Sequence, residues 1–200
     1  MTNFYTVNPF GTSFWSVIRK LIACILLLGT GLTTYAQVPD ANGIVYIKAS
    51  GTGDGSSWAN ASSDLHNAIH AAGVTKVYVA IGNYNVDGNS FVMKNGVEIY
   101  GGFDPVNNTT DWNTRILPNE YPTNGGSPEG SVLNGQNSKP VIWNEFTSST
   151  ALDNSAVLDG FTVKNARNTV TGVGAGIFNK FASPVLRNLV IKNNYTVIGA

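Results

Sequence analysis

The feature that most narrows the possible folds is a segment that occurs twice. Val157-Leu158-Asp159-Gly160-Phe161-Thr162-Val163-Lys164-Asn165 is matched in kind at most positions by Val185-Leu186-Arg187-Asn188-Leu189-Val190-Ile191-Lys192-Asn193, roughly 28 residues further on. A weaker copy, Val132-Leu133-Asn134-Gly135, stands roughly 25 residues before the first. Each copy is a short β-branched and aliphatic run interrupted by Gly or Asn, so the unit is a strand with a bend. Such a unit cannot bury a face by itself. Stacking it on its neighbours can, and that predicts a solenoid.

If the copies stack in register, with strands about 4.8 Å apart, each side chain lies over its counterpart. Leu133, Leu158 and Leu186 should then form one apolar column, with Phe161 over Leu189 and Val163 over Ile191. Asn165 over Asn193 would make an amide ladder, and Asp159 over Arg187 an ion pair. Gly160 and Asn188 share a position, and these two residue types enter the left-handed backbone region most readily. A bend at that point is expected on grounds independent of hydrophobicity.

The rest of the chain is consistent with this. Only 12% of its residues are charged, and Gly, Asn, Ser and Thr crowd the part after the first 36, a composition of turns and short strands. Ile44-Val45-Tyr46-Ile47 reads as a first strand, followed by the loop Gly51-Thr52-Gly53-Asp54-Gly55-Ser56-Ser57. Ser62 or Ser63 can then cap a helix in which Leu65, Ala68, Ile69 and Ala72 share a face and which ends before Gly73. Beyond it the period is two, with Val77 and Val79, Phe91 and Met93, Val97 and Ile99, Phe161 and Val163, and Leu189 and Ile191 as inward pairs. The expected organisation is a signal peptide over 1–36, an N-terminal strand and capping helix over 37–75, and stacked strands over 76–200.

Arg19 and Lys20 precede the apolar run Leu21 to Leu28, and Thr34-Tyr35-Ala36 supplies small residues for a cut before Gln37. As a membrane anchor the stretch Leu21 to Leu32 falls short of the roughly 20 residues a spanning helix needs. Leu21-Ile22-Ala23-Cys24 also resembles a lipoprotein cysteine box, although here the charges stand directly before the box and the apolar run follows it. Cys24 is the only cysteine, so a chain cut before Gln37 has no internal disulfide. Lys+Arg and Asp+Glu each number 12, and the cut removes two bases and no acid. The small acidic excess that remains excludes a nucleic-acid or anionic-membrane footprint.

Several motifs in order carry a resemblance: Val45-Tyr46-Ile47-Lys48, Gly53-Asp54-Gly55-Ser56-Ser57-Trp58, the helix from Asp64, Val77-Tyr78-Val79-Ala80, Gly96-Val97-Glu98-Ile99-Tyr100-Gly101-Gly102-Phe103, Asp111-Trp112, Val157 to Val163, and Gly174-Ala175-Gly176-Ile177-Phe178-Asn179. Together they resemble the secreted bacterial right-handed parallel β-helix proteins of the pectate-lyase-like and polymorphic outer-membrane-protein repeat group. The resemblance implies an all-β right-handed solenoid, capped at its N-terminal end by a strand and helix. It also implies more repeats than the 200 residues hold, so the chain is expected to be an N-terminal fragment.

No catalytic, cofactor-binding or metal-binding set is legible. Polysaccharide lyases of this architecture need clustered carboxylates for calcium with a base, and hydrolases need paired carboxylates. Asp153 and Asp159 with Arg167 or Arg187 can be forced into such a set, but Asp159 has Asn134 and Arg187 in its expected column and reads as a turn residue. Asp54 has neighbouring oxygens for calcium without the spacing of a calcium loop, and it reads as a turn. His66 and His70 share a helix face without an intervening acid ligand and read as solvated surface. Trp58, Trp112 and Trp143 with Tyr84, Tyr100 and Tyr121 can stack on sugars or anchor loops. The sequons at Asn60, Asn107, Asn108 and Asn194 read as Asn/Thr-rich surface.

The sequence therefore points to a secreted or cell-surface scaffold or adhesin-like protein without catalytic activity, its partner an extracellular polysaccharide or a cell-surface ligand. The alternative is the first part of a polysaccharide lyase or glycoside hydrolase whose catalytic repeats lie beyond Ala200. Mass spectrometry of the exported protein should find Gln37 at its N-terminus. A lipid-modified Cys24, or a retained apolar segment, would overturn that cleavage.

Overall fold

The computed structural model describes residues 36–107, 111–118, 129–169 and 173–196. The expected signal peptide, apart from Ala36, lies outside them, as do Cys24, Asn108 and Tyr121. The described chain is predominantly β. Its strands are β1 (Ile44–Ile47), β2 (Lys76–Ala80), β3 (Gly82–Asn85), β4 (Glu98–Phe103), β5 (Ser131–Asn134), β6 (Ile142–Glu145) and β7 (Val157–Asp159). They continue with β8 (Phe161–Lys164), β9 (Arg167–Asn168), β10 (Ile177–Lys180), β11 (Val185–Arg187), β12 (Val190–Lys192) and β13 (Tyr195–Thr196). One α-helix, α1 (Leu65–His70), and one 3-10 turn, Trp112–Thr114, complete the described elements.

Every named pairing is parallel. A five-stranded sheet has the order β1-β2-β4-β7-β11, a four-stranded sheet the order β12-β8-β5-β3, and β10-β6 and β13-β9 form two pairs. From β7 onward the chain visits the four sheets in a fixed order and then returns to the first, so β11, β12 and β13 lie beside β7, β8 and β9. The two copies of the repeat are neighbours in register: Val157 faces Val185, Leu158 faces Leu186, Asp159 faces Arg187 and Val163 faces Ile191. Between the two strands of each copy, Gly160 (φ +87°) and Asn188 (φ +49°) both take the left-handed conformation. At 160 a side chain would also press on the Gly101 carbonyl, 3.0 Å from an added Cβ, so glycine is favoured twice over.

Successive partners Val45, Val77, Ile99, Leu158 and Leu186 make one inward column, and Tyr84, Leu133, Val163 and Ile191 make another. The inner members are sealed, with Leu158 1% and Val163 0% exposed. In the outermost strands Leu186 is 38% and Ile191 54% exposed, because each has a neighbour on one side only. Inside, a space of about 10 Å³ lies among Leu65, Phe91, Ile99, Leu133 and Leu158, at the lower limit for one water.

The weaker copy pairs differently from the sequence expectation. β5 lies against β8, so Leu133 stands over Val163, while the column of Leu158 continues to Ile99. The reason lies in the corner that follows. After Asn134-Gly135 the left-handed residues are Gln136 and Asn137 (φ 54° and 53°), matching the corner at Asn165 (φ 54°) after β8 and not the bend at Gly160. The amide ladder likewise runs toward earlier passes: Asn165 donates to Asn134, and Asn134 to Asn83, each at 3.2 Å.

At the opposite edge, the loop after β1 folds back to satisfy its free backbone. Tyr46 N–H donates to Gly55 and Lys48 N–H to Ser62, while Ser62 N–H donates to Tyr46. Ser62 is thereby engaged elsewhere, and Asp64, not Ser62 or Ser63, caps α1 by accepting from Asn67 N at 3.0 Å. The helix buries Leu65, Ala68 and Ile69 as expected but ends at His70, which leaves Ala72 exposed. Phe91 and Met93 are buried without forming a strand. Phe91 makes a single bridge to Ile142, and the side chain of Asn144 takes the Met93 N–H at 2.9 Å in place of a strand partner.

Because Leu158 is enclosed by strands on both sides and Leu186 is not, Leu158→Ala should cost about 3 kcal/mol and Leu186→Ala about 1 kcal/mol in urea unfolding. Equal losses would contradict the stacking order.

Candidate functional site

With the interior filled by apolar columns, a ligand has to be met on the outside. On the outer face of the five-stranded sheet the partners Tyr46, Tyr78, Tyr100, Asp159 and Arg187 form one column. The tyrosine rings meet edge to face, with centroids 5.9 Å and 6.2 Å apart. Trp58 from the β1 loop covers Tyr46 at 5.1 Å and Phe103 at 5.7 Å, so this tryptophan anchors the loop. Burial and the Asp40 carboxylate, which accepts from the Tyr46 hydroxyl at 2.9 Å, push that phenol up to about 12. Tyr84 is buried, its hydroxyl donating to the Ala80 carbonyl at 2.9 Å.

Asp159 stands where aromatic and charged rows meet. It pairs with Arg187 at 3.2 Å, as the repeat predicts, and also with Arg115 at 3.4 Å and the Asn188 amide at 2.8 Å. Arg115 arrives from the 3-10 turn segment, far away in sequence, and lays its guanidinium 4.0 Å from the Trp112 ring centre while donating to the Gly101 carbonyl. A carboxylate held by two guanidiniums and an amide is a structural tie. Asp153 sits apart in an exposed turn, bonded to Ser155, and Arg167 lies in β9 opposite Tyr195. The lyase-like set is thus not brought together.

Other candidates resolve into local structure. Asp54 accepts from the Ser56 N–H and hydroxyl at 3.0 and 2.7 Å, a turn contact that holds it below the usual carboxylate range. His66 is not solvated surface: its ring stacks on Phe91 at 4.2 Å and its Nε2 lies 3.2 Å from the Val86 carbonyl. Burial lowers the pKa of both His66 and His70. The sequon residue Asn194 is absorbed by the fold, donating to Val163 O and accepting from Ala166 N, both at 2.9 Å. Among the described residues no group of three or more His, Cys, Asp or Glu is placed to hold a metal ion, and no helix is long and apolar enough to cross a membrane.

Of the concavities among the described residues, one beside α1 includes Asp64, His66 and Asp87, one lies in the loop after β1 at Asp54, and the one at Trp143 gathers an aromatic ring and two cations. This last groove, of about 640 Å³, lies beside β6 and β9, lined among others by Asn89, Ser90, Lys139, Trp143, Arg167 and Asn168. Its walls are set by corners. Left-handed Gln136 and Asn137 carry the chain outward to Ser138–Pro140, and Gly88 (φ 98°) with Asn89 and Ser90 supplies the facing wall. The Ser90 hydroxyl donates to the Pro140 carbonyl at 2.7 Å and ties the two together. Trp143 points outward from β6, packed on Phe178 at 4.3 Å, with its indole N–H donated to Glu145 at 3.1 Å. Hydroxyls, amides, two cations and an aromatic ring therefore face the cavity, and no described carboxylate lines it. That set can bind and orient; it supplies no carboxyl general acid or base. Trp143 and Arg167 each stood out in the sequence, but their meeting did not, because it depends on how corners in different passes project.

Removing Arg115 would leave Asp159 short of one guanidinium in a site where the carboxylate is 3% exposed. Arg115→Ala should therefore cost about 3 kcal/mol in thermal or urea unfolding, against at most about 1 kcal/mol for Arg187→Ala, whose side chain is half exposed. The reverse order would contradict a buried tie centred on Arg115.

No known family, curated protein or solved structure matches this chain.

Proposed function

We propose that the protein is an exported, non-enzymatic scaffold of the outer cell surface or medium, built as a right-handed parallel β-helix, which holds an extracellular polysaccharide or a cell-surface ligand in the groove at Trp143. Parallel pairing in four sheets, visited in a fixed order, supports the β-helix reading. The charged and apolar pattern of Arg19 to Ala36 supports export.

The observation that carries the functional reading is the composition of the groove. An outward, half-buried tryptophan ring offers an apolar platform for the C–H face of a sugar, and the exposed Asn89 amide adds hydrogen-bonding groups beside it. Catalysis of lyase or hydrolase type would call for paired or clustered carboxylates in the groove; no described carboxylate lines it, and the one beside it, Glu145, is held by Lys180 and the Trp143 indole.

Incubation of the protein with acidic and neutral polysaccharides, with and without calcium, should give binding that weakens roughly tenfold or more in Trp143→Ala, with no new reducing ends or unsaturated products. Calcium-dependent appearance of unsaturated sugars would replace the scaffold reading with that of a lyase.

A further inference from the structure

Charge pairing across the strands singles out two residues of the groove. In the four-stranded sheet Lys164 and Lys192 stand on adjacent strands, and Glu129 bridges them, bonded to Lys164 and 2.9 Å from Lys192. Arg115 and Arg187 converge on Asp159, and Lys180 lies 2.8 Å from Glu145. Lys139 and Arg167 are also on successive passes, joined directly by the Arg167 N–H to Lys139 carbonyl bond at 3.1 Å. Both are exposed, both line the groove, and among the described residues neither has an acidic partner.

Two like charges on neighbouring passes raise each other's free energy, and elsewhere in this fold an acid relieves that repulsion. Here no described acid stands between the two cations, so the place that an acid fills elsewhere is open to an anionic ligand. Resting on the reading of the groove as a polysaccharide site, we infer that the glycan it holds is acidic, its carboxylate or sulfate groups bound directly by Lys139 and Arg167 with no bridging calcium. The guanidinium fork of Arg167 fits a carboxylate or sulfate through two parallel hydrogen bonds, while Lys139 adds a mobile point charge. Trp143 has its indole N–H committed to Glu145, so its ring face is what remains for the sugar. The full chain has a formal net charge of zero, so the attraction is local to this groove and does not make the molecule a general polyanion binder.

Electrophoresis of the protein through gels containing alginate, chondroitin sulfate or neutral dextran, each run with EDTA and again with calcium, tests this directly. Alginate or chondroitin sulfate should retard the protein and dextran should not. Lys139→Ala with Arg167→Ala should weaken the retardation by about tenfold or more, Arg167→Lys should retain part of it, and Lys76→Ala, on the outer face of the five-stranded sheet, should leave it unchanged. Raising salt from about 50 to about 500 mM should weaken binding of the unaltered protein, a readout that needs no variant to fold. Equal retardation by dextran, or salt-independent binding, would overturn the acidic specificity and leave the polysaccharide reading standing. Binding that disappears only when EDTA is present would overturn the calcium-free mode, and retardation by none of the three would remove both readings.

Discussion

Parallel pairing of one pass of backbone on the next, in register, is the constraint from which the other features descend. At a strand spacing of about 4.8 Å each side chain is fixed over its counterpart, so a position has to suit two neighbours of its own kind. Aliphatic columns such as Val45, Val77, Ile99 and Leu158 meet that demand by burial, and Tyr46, Tyr78 and Tyr100 meet it by edge-to-face contact. For charges the same geometry is a penalty unless signs alternate or a third group intervenes. Arg187 over Asp159 is the first solution, and Glu129 across Lys164 and Lys192 is the second.

Corners are the price of returning to the same sheet. Gly160, Asn188, Gln136, Asn137, Asn165 and Asn193 all sit at positive φ, where most side chains are strained. A chain that turns this often selects Gly and Asn, which explains a composition poor in charge. Corners also decide where function can be. The interior is filled, so a ligand is met on the outside, for example where turns from different passes rise above the sheets, as Gly88–Ser90 and Ser138–Pro140 do around Trp143.

Much of the strand order was legible because it is carried by local chemistry repeated at a distance. The pairing of Val157–Asp159 with Val185–Arg187, the bend at Gly160 and Asn188, and the Asp159–Arg187 contact all follow from aligning the two copies. Alignment failed at Val132-Leu133-Asn134-Gly135. Two aliphatic residues followed by Asn-Gly resemble the strand before either corner, and only the following left-handed residues show which corner it precedes. Arg115 was missed for a different reason: its contact with Asp159 spans 44 residues and belongs to no repeat.

By itself, then, the sequence determined that the chain stacks strands, which residues face inward and where the backbone bends, since these depend on periodicity and on φ preferences that each residue carries with it. The apolar run before Ala36 is legible in the same way. Tertiary structure alone decided that β5 lies on β8, that Arg115 crosses the sheet to reach Asp159, and that Lys139, Trp143 and Arg167 share a groove. Each of these joins residues from different passes through loops without a period. Their meeting is fixed by the summed geometry of the corners, and no single segment of the sequence encodes that sum.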